Sequence, residues 1–221
     1  ETGSSQQTRF RELFSDINEQ FKKKFTKIIG YGVIATFASN FIMLGVQTWR
    51  LEVSPIEVIG TTFGTTWLIR MIITIIIIGI WFWMEKRKEI SIKGQIPLLV
   101  ASLILIATTT MMGHGASTEL EAAWILDYAH NLLSSIWIGG VIFFAFVALP
   151  TISRTNDSLR NKITISLIPR FSGLFIIAIG ILIITGPTLL WFLDDNVGSL
   201  TESTYGKLIM IKIGLAIAMI A

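Results

Sequence analysis

Cysteine is absent from this sequence. Disulfides, thiolate ligands and thiol redox chemistry are therefore excluded, and a soft metal could be held only by methionine or histidine. Histidine itself is scarce, occurring only as His114 and His130. Charged residues make up 15% of the chain, where a soluble domain carries roughly 25%. No nucleophile beside a base, no phosphate-binding loop and no paired catalytic carboxylates are present, so an enzyme is not expected. Nor is a nucleic-acid partner, since the net charge of +3 says little by itself. The opening ETGSSQQTRF is polar, unlike a secretory leader; it fits a processed end or a point within a longer protein.

What the chain has in quantity is apolar residues, 52% of the total, with a mean hydropathy of +0.67. They fall in runs of about 20, enough to cross roughly 30 Å of hydrocarbon. Only helices and closed barrels satisfy the backbone in lipid, and the period-two alternation of barrel strands is missing. The expected fold is all-α, a polytopic transmembrane helical bundle. Spans are predicted at about 28–49, 64–84, 96–115, 120–149 (ending at Pro150) and 168–193, the last kinked by Gly186-Pro187. A sixth begins near Tyr205 and is still apolar at Ala221, so it is read as truncated. Ser54-Pro55-Ile56-Glu57 has the form of a helix start. Ahead of the first span, Phe10, Leu13, Phe14, Ile17, Phe21 and Phe25 make one apolar stripe beside Lys22, Lys23, Lys24 and Lys27. Residues 1–27 are thus expected to form an amphipathic interfacial helix, or one packed on a partner subunit, and 28–221 the transmembrane domain.

The loops have a charge pattern. Arg9, Arg11 and the four lysines precede the first span; Lys86, Arg87, Lys88 and Lys93 lie between the second and third. Arg154, Arg160, Lys162 and Arg170 lie between the fourth and fifth. The alternate loops are acidic, with Glu119, Glu121, Asp194, Asp195 and Glu202, and only Arg50 departs from the pattern. Basic loops stay in the cytoplasm, so the amino end is expected inside the cytoplasmic membrane and the His114 loop outside.

The stretch Met111–Gly140 then holds the chemistry. His114 follows Met111 and Met112 at the outer end of the third span. Imidazole with thioether suits copper, Cu(I) above all. His130 lies nine residues into the helix that Glu121 opens, about 13 Å deeper. Asp127, His130, Asn131 and Ser134 share a helical face, and ionisable groups at that depth are functional candidates. The metal set is His114, His130, Met111, Met112 and Asp127, with Asp127 either a ligand or an orienting partner of imidazole. The bland alternative is that these polar groups bond between helices and the methionines pack. Arg70 and Lys212 are buried charges, and Arg70 is expected to pair with Asp127. Trp49, Trp67, Trp124 and Trp191 toward the outer interface and Trp81 and Trp83 at the inner one form an interfacial belt, and Gly139 and Gly140 allow close packing.

FGTTWLIR (63–70), GHGAS (113–117), DYAHNLLSSIWIGG (127–140), RFSGLFIIAIGILIITG (170–186) and TYGKLIMIKIGL (204–215) stand in an order that resembles the copper resistance protein D family. The resemblance implies a polytopic protein linked to copper uptake across the cytoplasmic membrane. It implies His114, His130 and Asp127 as the functional set, with Arg70, Tyr205 and Lys212 matching but unassigned. Within these residues the resemblance finds no counterpart of the copper-binding periplasmic domain fused to some members, nor of the family's last helices. Copper, membrane lipid and a periplasmic or extracellular copper chaperone are the implied partners. Two other readings stay open: a non-transporting subunit of a copper oxidase or oxygenase assembly, and a haem-carrying electron-transfer subunit with the two histidines as axial ligands.

Overall fold

The structure, a computed structural model, describes residues 2–87, 92–113, 121–155, 157–193 and 204–220. All its elements are helical. α1 is Thr2–Leu51, α2 Pro55–Ile59, α3 Thr62–Arg87, α4 Ile92–Met112 and α5 Glu121–Phe143. A π-helical turn, Phe144–Ala148, leads into α6, Leu149–Ile152, then α7, Asp157–Leu193, and α8, Thr204–Ile220. Five stretches among the described residues are long and apolar enough to cross a membrane: Ile17–Leu51, Thr62–Arg87, Lys93–Met112, Ala122–Ile152 and Arg160–Phe192. They match the first five expected spans. α8 coincides with the expected sixth but has only 17 described residues.

The amphipathic stripe and the first span run on as one helix. No proline occurs before Pro55, so nothing breaks the backbone at residue 27. Helix α1 ends before Ser54, whose side chain accepts from the Glu57 backbone N–H and caps α2 as the sequence predicts. The fourth span does not stop at Pro150. Proline cannot donate to the carbonyl four residues back, and its ring pushes that carbonyl aside. The helix widens instead, with the Leu149 N–H donating to the Phe144 carbonyl, and continues to Ile152.

Successive long helices pack side by side, α1 on α3, α3 on α4, α4 on α5 and α5 on α7, while α1 also touches the π-turn. Large apolar side chains such as Ile72, Ile76, Ile176 and Ile184 point outwards, as they do in lipid. In the interior, Val33, Ile73, Ile77 and Ala101 form an apolar centre between α1, α3 and α4, and Asn40, Arg70 and seven threonines are among the buried polar residues. Trp67 belongs to this interior and donates from Nε1 to the Asn40 carbonyl at 2.7 Å, which corrects its placing in the interfacial belt. A protein-internal acceptor holds it more firmly than the headgroup region does.

At the other end of α1, Phe21 and Phe25 meet Phe143 edge-on at 5.7 and 5.9 Å, and Phe143 stacks on Phe171. The last turns of the amphipathic stripe thus pack within the chain. Gly140 admits the neighbouring Phe175 ring: a Cβ there would stand 2.5 Å from Cε1. Gly139 faces open space, so the close-packing expectation holds for one of the two. Gly140→Ala is expected to destabilise the bundle by about 1–3 kcal/mol through overpacking. Gly139→Ala should be neutral or stabilise by up to about 1 kcal/mol through helix propensity. Thermal unfolding in detergent compares them, and equal effects would contradict this packing.

Candidate metal site

His130 sits on α5 facing α7. Its Nδ1 is 2.8 Å from Thr185 Oγ1, and Thr185 is itself buried. The Thr185 hydroxyl also approaches the Leu182 carbonyl at 3.4 Å. If that hydroxyl donates to the carbonyl, it accepts from Nδ1–H, which fixes the tautomer with its lone pair on Nε2. The next residue on α7, Gly186, lies beside the ring, where a Cβ would make ordinary van der Waals contact with His130 Cε1 at 3.6 Å. Pro187 follows inside the same helix.

The shared face predicted for Asp127, His130, Asn131 and Ser134 divides between two neighbours. His130 looks to α7. Asn131 donates from Nδ2 to Thr110 Oγ1 on α4 at 3.2 Å, and Thr110 is fully buried. Asp127, one turn above Asn131, brings Oδ2 to 3.5 Å from where a Cβ on Gly113 would stand, at the end of α4. Ser134 is half-buried one turn below His130. Met111 is about half exposed in the last turn of α4, and Met112 is more covered. His114 lies outside the described residues. Tyr205 and Lys212 are positions on α8 whose side chains are likewise outside them. Among the described residues, no three His, Asp or Glu side chains gather into a metal cage.

Arg70 is 9% exposed, and its described hydrogen bonds go to neutral oxygens rather than to Asp127. Nε donates to Asn40 Oδ1 at 2.7 Å. Nη1 donates to Thr109 Oγ1 at 2.7 Å and to Thr108 Oγ1 and the Leu105 carbonyl at 3.2 Å. Asn40 turns its amide to Thr74 Oγ1 at 3.0 Å, and that hydroxyl returns to the Arg70 carbonyl. This network was missed from the sequence, although a lone Asn40 in an apolar span is itself a signal. The consecutive Thr108, Thr109 and Thr110 divide the work: the first two serve Arg70, the third Asn131. One polar layer therefore runs from α1 through α3, α4 and α5 to the His130–Thr185 contact on α7.

The family comparison now has geometry beneath it. A family model described as copper resistance protein D-like, N-terminal domain, matches residues 10–124, and one described as copper resistance protein D matches 165–221. The chain belongs to the copper resistance protein D family. The copper transport protein CutJ of Bacillus subtilis (strain 168) is 24% identical over 216 residues, covering 92% of this chain and 39% of that protein. Copper resistance protein D of Pseudomonas syringae pv. tomato is 25% identical over 198 residues, covering 86% and 62%. The chain thus spans less than two thirds of either relative. No solved structure matches it. Family membership and the apolar helices make this a copper-related, multi-pass membrane protein.

Because Asn40 accepts from a buried cation, Asn40→Leu is expected to destabilise the bundle by about 2 kcal/mol. Asn40→Asp keeps the acceptor for Arg70 and adds a counter-charge but loses the donor to Thr74, so it should destabilise the bundle in detergent less than Asn40→Leu does. A leucine variant as stable as wild type would show that this bond does not support the fold.

Proposed function

We propose that this protein binds copper as cargo in the outer half of the bundle and takes it up or passes it on from the outer face of the cytoplasmic membrane. His130 is the inner ligand. His114, with Met111 and Met112, forms an outer station that receives the ion from water or from a copper chaperone. The observation that carries this reading is the His130–Thr185 contact. A ligating imidazole binds metal through one nitrogen while the other is anchored, and Thr185 holds Nδ1, so Nε2 is the atom assigned to copper. Methionine and imidazole are a soft set and the chain has no thiolate to compete, which favours Cu(I).

Asp127 stands one turn above His130 on α5, beside the end of α4. A carboxylate there attracts a cation arriving from the outer loop and lowers the cost of carrying its charge below the surface. Arg70 supports the reading from the opposite side. It is a fixed positive charge in the same layer, so a cation is favoured on the α5–α7 side and disfavoured between α1 and α3. The names of the relatives, copper transport and copper resistance, support cargo handling rather than catalysis. The basic loops support the orientation, with the amino end in the cytoplasm.

Competition with a Cu(I) chelator tests the assignment on purified protein. His130→Ala and His114→Ala should each weaken binding. Thr185→Val should weaken it by about tenfold through loss of the anchor, with Thr185→Ser restoring most of it. Wild-type affinity in the His114→Ala, His130→Ala double variant would refute the site.

A further inference from the structure

The hydrogen bonds and ring contacts divide the bundle into two units. Arg70 and Asn40 join α1, α3 and α4, and Trp81 Nε1 adds a bond to the Thr26 carbonyl of α1 at 2.9 Å. Helix α5 goes instead with α7. His130 meets Thr185, Phe143 stacks on Phe171, and Gly140 lies tight against Phe175. At the inner end α1 meets this second unit through Phe21, Phe25 and Phe143. Further out, the units pack along the seam between α4 and α5.

Two described hydrogen bonds cross that seam. Tyr128 Oη donates to the Leu103 carbonyl at 3.3 Å. Asn131 Nδ2 donates to Thr110 Oγ1 at 3.2 Å, and Thr110 is fully buried. Thr108 and Thr109 return their hydroxyls to the Leu105 carbonyl of their own helix, whereas the bond described for Thr110 reaches across to α5. Its place in the chain is informative. Thr110 directly precedes Met111 and Met112, and Asn131 directly follows His130. The first unit thus carries the methionines, the second carries the imidazole, and this bond joins the units between them.

We propose that Thr110 and Asn131 are positioning residues for ion transfer, keeping the methionine station on α4 in register with His130 on α5. The inference rests on the copper reading above. A neutral hydroxyl and amide are poor ligands for a soft ion, so they act on the helices that carry the ligands. Their bond governs the barrier between the stations rather than the affinity of either. A slip of about 1 Å along the seam is enough to slow such a step severely.

Stopped-flow loading of the purified chain with Cu(I), and release to excess bathocuproine disulfonate, tests this. Thr110→Val, which keeps the shape of the side chain, and Asn131→Leu should each slow loading and release by about tenfold. Both rates should fall by the same factor, leaving the equilibrium affinity at the wild-type value. Thr110→Ser should restore the rates. The double variant should be no slower than either single one, because the same bond is lost in all three. Wild-type rates in both single variants overturn the proposal, as does a loss of affinity that matches the loss of rate, which marks a merely loosened fold. A wild-type chain that binds no Cu(I) refutes the copper reading itself, which separates the two failures.

Discussion

A guanidinium inside a lipid-embedded bundle must be satisfied by the protein or else carry a large desolvation cost. Arg70 is satisfied by oxygens from two other helices: Asn40 of α1, and Leu105, Thr108 and Thr109 of α4. Because these acceptors are directional, they set the rotation and depth of α1, α3 and α4 more closely than apolar contact can. Lipid offers no hydrophobic drive between helices, so this kind of bond and close packing must do the ordering. The rest of the site follows from that register. With α4 fixed by Thr108 and Thr109, Thr110 meets Asn131 of α5, and the adjacent His130 is turned to Thr185 of α7.

Much of this architecture was legible in the sequence, because a membrane span is a long-range compositional signal. Run length located the five spans, although the first begins at Ile17 rather than 28 and the fifth at Arg160 rather than 168, and the Ser54 cap is readable from four residues. Local backbone adaptation was not. Pro150 reads as a stop, yet a π-turn before it lets the helix continue to Ile152. Asp127 was the obvious counter-charge for Arg70 by depth alone. Rotation about the helix axis, which hydropathy does not encode, gives the guanidinium neutral partners instead. Trp67 was assigned to the belt for the same reason: its level was readable and its direction was not.

The candidate site was legible as a set of residue types and only in part as a constellation. Depth along α5 placed Asp127 above His130, and the structure keeps that order while sending the two toward different helices. Thr185 escaped notice because threonine is common in this chain and only the fold brings it to the imidazole. On the proposed reading, single ligands on different helices would suit an ion that moves, since a closed cage would hold it too firmly for release. Arg70 is the strut of that layer, tying α1, α3 and α4 together through its hydrogen bonds.

Copper K-edge X-ray absorption of the Cu(I)-loaded protein tests the central claim, that His130 binds the ion within the membrane layer, most directly. The wild-type spectrum should contain imidazole multiple scattering that weakens in His130→Ala while the sulfur contribution persists. A spectrum without imidazole scattering, or one identical in wild type and variant, would contradict the account.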